Sequence, residues 1–183
     1  MKPIKVGLLG LGTVGGGTAT VLQRNAAEIT RRTGRPVQLA MVADLAVDRA
    51  RALLGDGVEV TADGFALVQN PEIDIVVELI GGTKIAKELV LAAIASGKHV
   101  VTANKALIAT AGNEILAAAQ AKGVMVAFEA AVAGGIPIIK AVREGLAANQ
   151  IQWIAGIING TSNFILTEMR DKGAAFADVL AEA

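Results

Sequence analysis

The segment Ile4-Lys5-Val6-Gly7-Leu8-Leu9-Gly10-Leu11-Gly12-Thr13-Val14-Gly15 decides the fold. Ile4 to Leu9 is a short, largely apolar run and reads as a buried strand. Gly10, Gly12 and Gly15 follow with G-x-G-x-x-G spacing. Val14 to Arg32 then reads as a helix that ends near Gly34. Strand, glycine loop and helix in that order form the context in which this spacing marks a dinucleotide site. Gly10 permits the tight turn, Gly12 lets the backbone approach a pyrophosphate, and Gly15 lets the helix pack close to the strand. The helix start offers free N–H groups and partial positive charge to phosphates. Gly10, Leu11, Gly12, Thr13, Val14 and Gly15 are therefore the first candidate ligand-binding residues.

Working outward, the same rhythm repeats. Val37 to Ala43 is a second strand, Val47 to Leu54 a short helix, and Val58 to Val60 a third strand. Phe65 to Val68 belongs to another short helix. Ile73 to Leu79, His99 to Thr102 and Val124 to Phe128 are further strands, separated by helices over Ile85–Ala95 and Lys105–Lys122. Short continuous apolar strands alternating with helices mean a parallel sheet covered on both faces. After Phe128 the rhythm changes. Glu129 to Ile136 reads as a loop, and Pro137 opens a helix running to about Leu146. Ile151 to Ile158 reads as a strand, Thr161 to Lys172 as a helix, and Ala174 to Ala183 as a helical end. The expected organisation is a doubly wound α/β domain over residues 1–130, with residues 131–183 opening a second domain.

Composition narrows the function classes. The 183 residues carry 17 Lys plus Arg and 17 Asp plus Glu, so the basic footprint of nucleic-acid binding is missing. With no Cys there is no disulfide framework, thiol nucleophile or iron–sulfur site, and a single His argues against structural zinc. The N-terminal apolar run is too short for a signal peptide. The most membrane-like window, Gly123 to Ile139, contains Glu129, Gly134-Gly135 and Pro137, which are costly in a spanning helix. The expectation is a cytoplasmic protein with no membrane or nucleic-acid partner.

Five further places can carry chemistry. Asp44 ends the second strand, where a carboxylate can bond the adenosine ribose hydroxyls. It lies 29 residues after Gly15, more than the usual ~20, because the first helix is long. A carboxylate there favours NAD over NADP, while Arg49 and Arg51 argue the other way. Glu78, Ile80, Gly81 and Gly82 follow the fourth strand, at the strand ends where ligands collect in such sheets. Lys105 stands at a helix start, where a cation is electrostatically disfavoured, and suits an anchor for cofactor or substrate. Glu129 lies in an apolar loop. Its carboxylate is held either by backbone N–H groups or a lysine, or by a hard cation shared with loop carbonyls. In Asn159-Gly160-Thr161-Ser162-Asn163, Thr161 or Ser162 can cap the helix, or exposed N–H groups can take a substrate carboxylate. His99 has no partner pattern and reads as structural. Without Cys or Tyr, Lys is what remains in this chain as a proton donor for a developing alkoxide.

Several of these segments taken together resemble bacterial homoserine dehydrogenases. They are G-L-G-T-V-G at 10–15, E-L-I-G-G at 78–82, V-T-A-N-K-A-L-I-A at 101–109, F-E-A-A-V-A-G-G-I-P-I-I-K at 128–140 and G-I-I-N-G-T-S-N-F-I-L at 156–166. The resemblance implies a Rossmann-type domain followed by the start of an α+β catalytic and dimerisation domain. It also implies reversible NAD(P)H-dependent reduction of L-aspartate 4-semialdehyde to L-homoserine, towards threonine, methionine and isoleucine. Carried onto this sequence, Gly10 to Gly15 bind the dinucleotide, and Ile80 and Gly81 lie on the nicotinamide side. Lys105 touches cofactor and substrate. Asn159, Gly160 and Thr161 border the substrate pocket. Glu129 with the carbonyls of Val132, Gly134 and Ile136 matches a monovalent cation site, usually sodium. The family's main proton-donor Lys lies downstream of residue 183. The expectation is thus an N-terminal portion of a homodimer or higher oligomer, binding nucleotide without efficient turnover and self-associating through apolar surface between Val132 and Ile158. The alternatives are a non-catalytic nucleotide-sensing module and a dehydrogenase of another small hydroxy acid.

Overall fold

A computed structural model describes every residue from Met1 to Ala183 and divides into two compact units, Met1–Ala141 and Val142–Ala183. In the first, strands β1 (Ile4–Leu9), β2 (Val37–Ala43), β3 (Glu59–Thr61), β4 (Ile75–Glu78), β5 (His99–Thr102) and β6 (Val126–Ala127) form one sheet. Every pairing is parallel and the order is β3-β2-β1-β4-β5-β6. The order reverses between β1 and β4, the switch point of a Rossmann sheet.

The helices of this unit are α1 (Thr13–Arg24), α2 (Ala26–Thr33), α3 (Val47–Leu54), α4 (Gly64–Gln69), α5 (Lys84–Ala95), α6 (Lys105–Lys122) and the single turn α7 (Ile138–Lys140). Successive strand residues face opposite sides, and β1 shows the consequence. Leu8 packs in a layer with Leu11, Ala19, Ala50 and Leu54, whereas Leu9 packs with Leu67, Leu89, Val90 and Leu107. So α1 and α3 cover one face, and α4, α5 and α6 cover the other. With both faces dry, the strands carry no polar alternation, which is why they read as continuous apolar runs. Leu8, Val42 and Val76 are fully buried. Each such side chain contributes about 1.5–3 kcal/mol relative to exposure.

Three expected elements differ. The single helix expected over Val14–Arg32 is two helices, broken at Asn25, which sits at φ −101°, ψ 16°. Its N–H still bonds to the Val21 carbonyl at 3.0 Å and its carbonyl accepts the Ile29 N–H at 2.9 Å, so the break is a local change of backbone angle at a residue of low helix propensity. The helix expected from Pro137 to Leu146 is instead α7 running into a π turn at Ala141–Gly145. The strand expected over Ile151–Ile158 is absent. These residues are exposed, with Trp153 at 78% and Ile158 at 90%. An apolar run becomes a strand only when a neighbour takes its N–H and C=O groups, and no strand of this chain pairs with it. The second unit is built instead from α8 (Gly160–Lys172) and α9 (Phe176–Glu182), where Ile165 and Val179 are buried.

Candidate functional site

The glycine loop connects the end of β1 to the start of α1. Gly10 adopts φ +88°, and its N–H bonds to the Ala43 carbonyl at 2.8 Å, so the loop starts locked to β2. A Cβ on Gly15 would stand 2.0 Å from the Gly10 carbonyl oxygen, so only glycine lets α1 begin this close to the turn. Gly12 is different: a Cβ there would meet nothing within 4 Å. The protein's own packing does not require glycine at 12. The open space beside it belongs to whatever approaches the loop. Gly12 is the N-cap of α1, with no side-chain cap and no acidic residue in the first turn. The first N–H groups of the helix are left for an outside acceptor.

Asp44 lies just past β2 and organises this loop. One carboxylate oxygen accepts the Leu11 N–H at 2.6 Å, and the other accepts the Ala46 N–H at 2.8 Å. The Leu11 N–H is thus turned back onto the protein rather than outward. A carboxylate has about four acceptor positions, so lone pairs remain for a ligand hydroxyl.

A cavity of about 600 Å³ opens at this end of the sheet, lined by Gly10, Gly12, Asp44, Phe65 and Ile80 among others. It brings together three of the segments the sequence singled out: the glycine loop, Asp44 and the turn after β4. It also includes Ala62, Asp63, Gly64 and Phe65, which the sequence reading did not assign to a site. Asp63 caps α4 by accepting from the N–H groups of Phe65 and Ala66 at 2.8 and 3.1 Å. The signal available was this Asx cap at a strand end; β3 is only three residues long and gave it little weight.

The turn after β4 and the loop after β5 are joined to each other. Glu78 is fully buried and accepts from the Thr102 hydroxyl at 2.6 Å and the Ile80 N–H at 3.0 Å. Asn104 donates from Nδ2 to the Gly82 carbonyl at 2.6 Å, and its Oδ1 caps α6 through the Leu107 N–H at 3.0 Å. Lys105, the first residue of α6, is exposed immediately beyond that cap.

Glu129 begins a single 3₁₀ turn, Glu129–Ala131, and is half-buried. Its carboxylate accepts the N–H groups of Ile139 and Lys140 at 3.0 and 2.9 Å, so it closes the loop onto α7. Of the three loop carbonyls grouped with it, that of Ile136 accepts from Ile138 N–H at 2.8 Å. Ala133 and Gly134 take φ of 56° and 59°, which curls the loop between them. In the second unit Asn159, not Thr161 or Ser162, is the cap of α8. Its side chain accepts the Ser162 N–H at 2.8 Å, with Gly160 and Thr161 in the first turn. His99 accepts the Met125 N–H on Nδ1 at 3.0 Å and serves the β5–β6 connection. The cation of Lys98 is held away from this end, by the carbonyls of Asn70 and Ile73 at 2.6 and 2.8 Å. Burial pushes its pKa down and Asp74 partly opposes that.

Comparison with known proteins gives this site a lineage. Residues 10–129 match the family model described as homoserine dehydrogenase, NAD binding domain, and residues 137–183 match the one described as homoserine dehydrogenase. The homoserine dehydrogenase of Pseudomonas aeruginosa is 66% identical over 184 residues, covering 100% of this chain and 42% of the relative. The crystal structure of a homoserine dehydrogenase from Thiobacillus denitrificans matches with TM-score 0.89 at 72% identity, again covering 100% of this chain and 42% of the other. A hyperthermophilic archaeal homoserine dehydrogenase in complex with NADPH matches with TM-score 0.78 at 27% identity, over 100% of this chain and 60% of that one. The chain therefore spans less than half the length of the first two. Two models of one family match in succession along the chain, the first of them from the glycine loop through β6, and the chain belongs to the homoserine dehydrogenase family.

Proposed function

We propose that the full-length protein interconverts L-homoserine and L-aspartate 4-semialdehyde with a nicotinamide dinucleotide, and that this chain supplies the dinucleotide site. The observation that carries the reading is the crevice at the switch point, shared by the glycine loop, Asp44 and Ile80, in a chain of this family. The alternatives of a sensing module or another hydroxy-acid dehydrogenase gain no support from the comparisons. This activity would place the protein on the route to threonine, methionine and isoleucine.

The proposed roles draw on the loop geometry and on the family resemblance. The N–H groups of Thr13, Val14 and Gly15 would hold the pyrophosphate, which Gly12 lets approach. Asp44 fixes the loop through Leu11 and offers its remaining lone pairs to the ribose. Ile80 and Gly81 would border the nicotinamide, which when bound would supply hydride transfer to or from the carbon bearing the alcohol. The hydroxyl proton must leave as the carbonyl forms. By the family resemblance Lys105 would hold cofactor and substrate and organise that proton transfer. Asn159, Gly160 and Thr161 are proposed, on the same resemblance alone, as substrate-binding residues.

The Glu129 loop has the chemistry of a hard-cation site, one carboxylate with the carbonyls of Val132, Gly134 and Ile136. Its two N–H bonds leave acceptor capacity on both oxygens. Those four residues would hold a monovalent cation, sodium by the family resemblance. Residues 131–183 are proposed to open the catalytic and dimerisation domain of a cytoplasmic homodimer or higher oligomer. No helix of the chain is long and apolar enough to cross a membrane. Comparing turnover of the full-length protein on L-homoserine with that on L-serine and L-threonine tests the substrate assignment. Preference for either shorter or branched hydroxy amino acid overturns it.

A further inference from the structure

Glu78 is a carboxylate with no water around it: it is 0% exposed, as is Thr102 opposite it. The two face each other as the last in-register pair of β4 and β5. Where this ladder stops, a hydrogen-bonded circuit begins. Glu78 accepts the Ile80 N–H at 3.0 Å and the Thr102 hydroxyl at 2.6 Å. The Thr102 oxygen accepts the Asn104 N–H at 3.0 Å, and Asn104 Nδ2 reaches the Gly82 carbonyl at 2.6 Å. Gly82 leads back through Gly81 and Ile80 to Glu78, so the circuit is closed. It ties the Ile80–Gly82 turn to the loop that presents Lys105.

An apolar side chain of similar volume would pack a strand end at least as well. What the carboxyl adds is direction: its two oxygens accept from two different segments at once, the turn after β4 and the end of β5. The turn it holds contains Gly81 and Gly82, both at positive φ, a segment with little rigidity of its own. We propose that Glu78, acting through Thr102 and Asn104, is a positioning residue. It sets the distance between the nicotinamide-side turn at Ile80–Gly81 and the Lys105 amine. The proposal rests on the functional reading above.

The test uses the full-length protein and the variants Glu78→Gln, Thr102→Val and Thr102→Ser. The quantities measured are kcat and KM for homoserine oxidation, Kd for NADPH by fluorescence, and Tm. Glu78→Gln keeps the volume but makes one of the two acceptor atoms a donor. Thr102→Val keeps the shape and removes the hydroxyl. Both are expected to lower kcat about 10- to 100-fold, the scale of an ångström-sized misplacement of reacting groups. Kd for NADPH should change less than about threefold, because the pyrophosphate loop is untouched and a tenfold change would need about 1.4 kcal/mol of lost contact. Thr102→Ser retains the hydroxyl and should recover most of the lost kcat. A purely structural role would lower Tm and leave kcat of the folded enzyme within about threefold, and that result overturns the proposal. If Glu78→Gln fails to fold, the contrast between Thr102→Ser and Thr102→Val decides alone: equal kcat values overturn the proposal. A wild-type protein without homoserine-dependent reduction overturns the functional reading itself, which is a separate and recognisable failure.

Discussion

Replacing Gly15 with Ala adds one methyl group at the tightest point of the glycine loop. Its Cβ would lie 2.0 Å from the Gly10 carbonyl oxygen and 2.9 Å from the Gly10 carbonyl carbon. Contacts under 3.0 Å do not persist, so the start of α1 must retreat by at least about 1 Å from the turn. The obstacle is backbone, and that backbone is pinned by the Gly10–Ala43 hydrogen bond, so no side chain can swing away to relieve it. Overpacking of this kind costs about 1–3 kcal/mol, and the rigid neighbour puts Gly15→Ala at the upper end. For a domain of this size about 2–3 kcal/mol lowers Tm by roughly 4–12 °C. Gly12→Ala is the matched control, since its methyl meets no protein atom within 4 Å. It should leave Tm of the unliganded protein within about 2 °C, yet weaken NADPH binding at least about tenfold by occupying the space of the pyrophosphate. Thermal melts with and without NADPH, run on both variants, separate the two effects. Equal Tm losses in the unliganded proteins, or tight NADPH binding by Gly12→Ala, would refute the division of labour among the glycines.

Other outcomes follow from the same geometry. Asp44→Ala strands the Leu11 and Ala46 N–H groups and should cost about 1–3 kcal/mol in a denaturant melt, with a loss of dinucleotide affinity. Glu129→Ala removes the acceptor for Ile139 and Lys140; a loss of about 1 kcal/mol and of any sodium dependence of turnover is expected in the full-length protein. Lys98 has a folded pKa below its unfolded value. Between those two values the unfolded chain binds more protons, so this group makes stability rise as pH climbs towards the unfolded pKa. Melts of Lys98→Met over the alkaline range should lack that rising contribution.

Much of the first unit was legible because local and global signals agree. Ile4 to Leu9, the glycine spacing and the repeated strand–helix rhythm all require the same covered parallel sheet. What was not legible depended on partners far away in sequence. The run at Ile151–Ile158 has a strand's composition, but composition does not supply a neighbouring strand. The break at Asn25 is a change of backbone angle at one residue of low helix propensity, which leaves the apolar pattern on either side continuous. Glu129 was readable as either a cation ligand or an N–H acceptor, and the acceptor geometry is there on the α7 amides. Glu78 stood out only as an acid at a strand end. Its partner Thr102 is 24 residues away, and only the β4–β5 register brings the two together. Phe65 entered the crevice wall unannounced, because the cap that places it follows a strand of three residues.

The most direct test of the central claim is reduction of NAD⁺ and NADP⁺ by the full-length protein on addition of L-homoserine. The account predicts cofactor reduction that depends on homoserine, saturates with it, and at subsaturating cofactor falls at least about tenfold when Gly12 is replaced by Ala. Tight NADPH binding without any homoserine-dependent reduction, whatever the salt or pH, would contradict it.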